Sequence, residues 1–219
     1  MSIGIGANLT GSFGYAKDKL VGNIVNWILL IILSIIPIVN FIAMGTYLKV
    51  YRGEDPKVAN IGKSFVDGLL AAIIAFIYML IPMIIFAIVL GASIPAMMMG
   101  DLAAIGAAGI GIIICMIVFM LFALLMLPAM VNFARNGFGA AFKFGEIFGM
   151  IGKAGWISYI LSIIVLYIVF FIIFFIIGFI IGLFGLIPVI GSIISSILML
   201  TLFSFLTVWA AKFWATLFA

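Results

Sequence analysis

Apolar residues occupy this chain in five long blocks rather than in the narrow stripes of a soluble amphipathic helix. The blocks cover residues 21–48, 65–90, 103–131, 156–183 and 189–215, and each reaches the roughly 20 apolar residues that one bilayer crossing requires. The fourth carries no charge in 28 residues and includes 21 Ile, Leu, Val or Phe, each favouring insertion at a helix centre by roughly 0.3–0.6 kcal/mol. As one helix it would be about 42 Å long, against a hydrocarbon core of about 30 Å, so it tilts or projects. The pattern predicts an all-α fold, a polytopic transmembrane helical bundle of about five spans that forms a single integral membrane domain over residues 1–219. Pro37, Pro82 and Pro128 lie inside the first three blocks and predict broken or kinked helices there.

The stretches between the blocks carry the polar chemistry. Residues 1–20 are glycine-rich and place Lys17 and Lys19 at their far end, an arrangement unlike a cleaved signal peptide. Lys49, Arg52, Lys57 and Lys63 surround Gly53-Glu54-Asp55-Pro56, which reads as a turn in a basic loop. Gly91 to Gly100 is a short connection followed by Asp101, and Gly185-Leu186-Ile187-Pro188 turns the chain into the last block. Between Asn132 and Gly155, at 100° per residue, Arg135, Lys143, Glu146 and Lys153 share an arc of roughly 80°. Phenylalanines fill the remaining face, so an amphipathic helix over 135–153 is expected to lie on the membrane surface between spans three and four. Trp209, Lys212 and Trp214 close the chain as an interface anchor.

Composition narrows the reading. The chain is 68% hydrophobic and 7% charged, whereas soluble domains are near half apolar and a quarter charged, so a water-soluble fold is excluded. The ten Lys and Arg are spread over separate loops rather than along one stripe, which argues against a nucleic-acid partner. They orient the protein instead. With five spans in line, Lys17 and Lys19 fall on one side and the other eight basic residues on the opposite side. The excess predicts a multi-pass protein of the cell membrane whose C-terminus and basic loops are cytoplasmic. A competing arrangement turns the first block back at Pro37 as a re-entrant hairpin and gathers all ten on one side. Against it, only eight residues separate Asn40 from Lys49, too few for a full return span.

A faint internal echo joins Pro37-Ile-Val-Asn-Phe41 to Pro128-Ala-Met-Val-Asn-Phe133, and Ile36-Pro37-Ile-Val-Asn40 to Ile187-Pro188-Val-Ile-Gly191. Other short motifs are Tyr15-Ala-Lys-Asp-Lys19, Gly45-Thr-Tyr-Leu-Lys-Val-Tyr-Arg-Gly53, Phe65-Val-Asp-Gly68 and Ala140-Ala-Phe-Lys-Phe144. Together with Ile36-Pro-Ile-Val-Asn-Phe41, these make the chain resemble the domain of unknown function 4013 family, small polytopic membrane proteins common in methanogenic archaea. The resemblance covers nearly the whole chain. It implies the architecture and an archaeal source, and it carries no activity. Phe213-Trp-Ala-Thr-Leu-Phe-Ala219 departs from the family's expected end by lacking a polar tail.

Candidate chemistry is sparse. The chain has no histidine, which removes the commonest general base and metal ligand, and its one cysteine, Cys115, sits in an apolar block. No cofactor is expected. All six acids, including Asp67 beside Lys63, fall at block ends or in loops, so no span carries the central ionisable group of a proton pathway. Met97, Met98 and Met99 could hold a soft metal ion, but they read more simply as apolar filler. Ser192, Ser196, Ser204 and Thr207 share about 120° of helix arc and form a possible polar stripe, or else bond their own helix. Gly178 with Gly182, and Ala103, Ala107 and Gly111, repeat at four-residue spacing as helix-packing faces. Lys49, Arg52, Lys57, Lys63, Arg135, Lys143 and Lys153 form the expected cytoplasmic basic surface. The leading expectation is therefore a non-enzymatic protein acting by helix packing, as a homo-oligomer or an accessory subunit of a membrane complex, with membrane lipids around it. A channel or transporter for a small or apolar solute is the alternative. A lipid-processing enzyme would have to use Arg135, Lys143 and Glu146.

Overall fold

In hydrocarbon a backbone must satisfy its own hydrogen bonds, and this chain does so as helix. The computed structural model describes residues 4–100, 102–184, 187 and 189–219. Its helices are α1 (Ile5–Leu20), α2 (Ile24–Ile35), α3 (Asn40–Tyr51), α4 (Ile61–Met98), α5 (Leu102–Asn136), α6 (Phe144–Ala154), α7 (Trp156–Phe184) and α8 (Ile190–Leu217), with 3₁₀ turns at Val21–Asn23 and Phe138–Phe142. Five stretches are long and apolar enough to cross a membrane: Ile5–Ile35, Ile61–Pro95, Gly106–Asn136, Trp156–Phe184 and Ile190–Leu217. The polytopic helical bundle expected from the apolar blocks is thus present. Asp101, Gly185, Leu186 and Pro188 lie outside the described residues.

The first apolar block is divided differently from a single span. Asn23 leaves helical geometry (φ −140°, ψ 69°), and its side chain accepts the Asn26 N–H to cap α2, so α1 and α2 are separate rods. α2 runs inward for about 18 Å, turns at 36–39 and returns as α3 over a similar length. Asn26 then ties the two ends together: its amide donates to the Pro56 carbonyl at 2.8 Å and its carbonyl oxygen accepts the Val58 N–H at 2.8 Å. Residues 21–48 therefore fold as a helical hairpin and not as one continuous helix.

The hairpin turn has a counterpart at the other end of the chain. Ile38 adopts φ 69° and Val189 φ 62°, and Asn40 N–H bonds Ile36 O at 2.9 Å as Gly191 N–H bonds Ile187 O at 3.0 Å. Ile38 and Val189 thus share a positive φ just before the helix that follows each. The echo at 128–133 lacks this feature, because that segment lies inside α5.

Pro82 and Pro128 also sit inside continuous helices, so of the three expected breaks only the one at Pro37 occurs. Proline removes one donor, orphaning the carbonyl four residues earlier. For Pro128 that carbonyl is Leu124, and the buried Tyr159 hydroxyl of α7 donates to it. The neighbouring helix thereby supplies the missing bond. Tyr159→Phe is expected to cost about 1–3 kcal/mol by leaving this buried acceptor unmade. In a Pro128→Ala background, where the helix bonds Leu124 itself, the same change should cost little. Detergent unfolding of the four proteins measures the difference, and equal costs in both backgrounds would refute the assignment.

The predicted surface helix over 135–153 is broken as well. Gly137 turns the chain out of α5 at φ 91°, residues 138–142 form a 3₁₀ turn, and only α6 continues as helix until Gly155 at φ 86°. The φ > 0 positions fall on glycine because no Cβ obstructs them. α6 is amphipathic as expected, burying Ile147 and Ile151 while Phe144 and Phe148 stay exposed.

Two buried clusters lie near one end of the bundle. One joins Ala129–Ala134 of α5 to Tyr159, Leu166, Phe213 and Trp214, and the other joins Ala16, Leu20 and Leu30 to Ala43, Tyr47, Val50 and Trp209. Farther along, α4–α5 and α7–α8 run as two hairpins with mostly exposed faces. α3 and α4 touch backbone to backbone: a Cβ on Gly45 would fall 1.8 Å from the Ser64 carbonyl oxygen, and one on Gly68 1.8 Å from that of Phe41.

Candidate functional site

Helices α3, α5 and α8 all end at the same end of the bundle, which concentrates unpaired carbonyls and the negative ends of three dipoles there. Basic side chains answer them. Arg52, at the end of α3, donates from Nε to Ala134 O of α5 at 2.6 Å. Arg135, at the end of α5, donates from Nε to Tyr51 O of α3 at 3.0 Å. The two arginines thus exchange helix ends reciprocally. Arg135 also donates to Ala215 O at 2.8 Å and to Phe218 O, holding the end of α8. Lys49, 8% exposed, donates to Lys57 O and Ala59 O, both at 2.8 Å.

Carboxylates and amides complete the face. Asp67 pairs with Arg52 at 2.7 Å, both side chains being largely buried, so its partner is across the α3–α4 contact and not the nearby Lys63. Lys19 pairs with Asp55 at 2.8 Å, Tyr15 donates to Glu54 O at 3.0 Å, and Asn8 donates to Phe213 O at 3.1 Å. Lys212 lies 4.7 Å over the Tyr15 ring, a snorkelled cation on an aromatic face. Glu146 accepts from Asn132 at 3.0 Å and from Lys143 at 2.9 Å, and these bonds hold its carboxyl below the usual range.

The expected basic surface is therefore of two kinds. Lys49, Arg52 and Arg135 are structural clamps whose donors are engaged, a correction that sequence spacing could not make. Lys57, Lys63 and Lys153 present exposed side chains, and Lys143 is paired. Lys17 and Lys19 belong to this same end, because α1 packs along the last turns of α8 and reaches the 54–58 loop. The expectation that they lie opposite the other basic residues is overturned by the hairpin, which reverses the chain once more than a simple span would.

The polar stripe divides too. Ser192, Ser196 and Thr207 give their hydroxyls to Val189, Ser192 and Phe203 carbonyls of their own helix, while Ser204 is buried and accepts from Tyr47 at 3.1 Å. Of the small-residue faces, Gly111 meets Val89 of α4, where a Cβ would lie 2.5 Å from the Val89 side chain. Ala103 and Ala107 are exposed and Ala108 is buried instead. Gly178 and Gly182 have open space within 4 Å. Cys115 is buried, Met98 and Met99 are exposed, and among the described residues no His, Cys, Asp or Glu cluster could hold a metal.

Sequence reasoning missed the glycines that pack, Gly45 and Gly68, and the tyrosine that completes α5. The available signals were the Ser64-x-x-x-Gly68 spacing and a proline whose freed carbonyl needs a donor. It also missed two neighbouring, mostly apolar cavities of about 290 and 440 Å³, both bordered by Tyr51, Phe203 and Thr207. A third cavity, about 410 Å³ and more polar, lies at the basic end beside Asn132, Arg135, Glu146 and Lys153. The family described as "Protein of unknown function (DUF4013)" matches residues 29–182. No curated protein and no solved structure matches the chain.

Proposed function

The chain belongs to the DUF4013 family of proteins of unknown function and has five stretches long and apolar enough to cross a membrane, and from that premise we propose a non-enzymatic protein that acts by packing against other membrane chains. It would do so as a homo-oligomer or as an accessory subunit. One observation carries the reading: Gly178 and Gly182 form a small-residue face on α7 with open space around it. Such a face lets a second helix approach closely, which is the main route to association in lipid. The charged groups suit the same role, since Arg52 and Arg135 are held on helix ends and Lys49 on carbonyls of the 52–60 loop rather than facing a substrate. For the alternative, a channel or transporter for a small or apolar solute, Ser192 and Ser196 offer little support as a polar path, because they satisfy their hydroxyls on their own helix.

Native mass spectrometry from mild detergent tests the proposal. The wild-type chain is expected as an oligomer or a hetero-complex, and Gly178→Leu/Gly182→Leu as a monomer with unchanged helicity. A monomeric wild-type chain would overturn it. The positive-inside bias supports a basic end on the cytoplasmic side of the plasma membrane. In a Cys115→Ser background, single cysteines at Lys17, Lys57 and Lys153 should then react with an impermeant maleimide from the cytoplasmic side alone. Labelling of Lys17→Cys from the opposite side would return α1–α2 to a full crossing.

A further inference from the structure

We propose that the cleft between the α2–α3 hairpin, α5, α7 and α8 holds a single hydrocarbon chain of a membrane lipid. This site is separate from the α7 glycine face, and the proposal stands whether or not the protein oligomerises. The two cavities that make it, about 290 and 440 Å³, lie side by side and share Tyr51, Phe203 and Thr207 as lining residues. Along α8 the first cavity is bordered from Phe203 to Trp214, a rise of about 16 Å, or half the hydrocarbon core. The space is long and narrow.

Its chemistry selects the occupant. No Lys, Arg, Asp or Glu borders either cavity, so a charged solute would have no counter-ion. Leu127, Leu166, Phe170 and Leu206 make the wall of the first apolar. Thr207 gives its hydroxyl to Phe203 O and the Tyr47 hydroxyl goes to Ser204, which takes two of the polar groups out of a mostly apolar lining. An empty cleft forfeits dispersion contacts along its whole lining. Tyr167, Phe174 and Phe203 at its border are 66%, 40% and 58% exposed, so at membrane depth the opening faces lipid rather than water. A chain can slide in from the bilayer without leaving hydrocarbon.

A transmembrane helix is a rigid rod about 10 Å across, whereas a flexible alkyl or isoprenoid chain bends to follow an uneven lining.

Photolabelling tests this directly. The intact protein would be placed in phosphatidylglycerol vesicles containing a trace of phospholipid with a diazirine in mid-chain, irradiated, and mapped by peptide mass spectrometry. Adducts should concentrate several-fold on Tyr51, Phe203, Leu206 and Thr207 relative to the outward-facing Phe171 and Phe175. Adducts spread evenly over all lipid-exposed residues would overturn the proposal, and this wild-type map does not depend on any variant folding. Ala210→Phe, which fills the first cavity, should then lower labelling of Leu206 while leaving Phe175 unchanged. Undiminished labelling of Leu206 in a folded Ala210→Phe protein would likewise refute it.

Discussion

Arg52→Met is expected to be among the most destabilising single changes in this protein, at about 3–5 kcal/mol. The methionine keeps the stem's packing and removes the guanidinium. Asp67 then remains in a site where its side chain is 14% exposed and its one ion-pair partner, 2.7 Å away, is gone. Ala134 O also loses the Nε donor that closes the end of α5. The large term is the stranded carboxylate, because an unpaired buried charge costs far more than the pair contributed. Arg52→Met/Asp67→Asn should therefore recover most of the loss, leaving about 1–3 kcal/mol for the freed carbonyl. Unfolding by dodecyl sulfate in maltoside micelles reads all four proteins of the cycle, and a double variant as unstable as Arg52→Met would show that the ion pair is not the cause.

Gly68→Ala should come next, at about 3 kcal/mol, through overpacking. The added methyl would sit 1.8 Å from Phe41 O and 2.9 Å from Gly45 N, both backbone atoms that cannot rotate away. α3 must then lift off α4, and the Arg52–Asp67 pair that spans the two helices lengthens with it. Gly62→Ala, on the same helix with nothing within 4 Å of the new atom, is the internal control. It should stabilise slightly, since alanine is favoured over glycine in a helix by up to about 1 kcal/mol. The same unfolding assay compares the two, and equal effects would refute the close-contact argument.

These two cases mark where sequence reading stops. The 24 glycines look alike in a one-dimensional string, and spacing singled out Gly178 and Gly182, whose surroundings are open, over Gly45 and Gly68, which touch backbone. In water an apolar stripe reveals the buried face of a helix, but in lipid every face can be apolar, so periodicity loses that information. The cations were misread for a related reason. Arg135 bonds three main-chain carbonyls and Arg52 bonds one beside its Asp67 pair, and a carbonyl leaves no mark in the sequence. Asn132 and Asn26 are the same: each was visible as a polar residue near a block end, and neither revealed the segment it would hold.

By itself the sequence determined that this protein is helical, that it lives in a membrane and where its polar segments lie, because insertion depends on summed local hydropathy and needs no tertiary partner. It also supplied the family resemblance that the match over residues 29–182 bears out. Only the tertiary structure decided that the first apolar block doubles back, with Asn26 fastening its ends, and that all ten basic residues gather at one end. Both outcomes turn on hydrogen bonds between segments 30 or more residues apart. Such bonds carry their full weight only where the surrounding hydrocarbon offers no water to replace them.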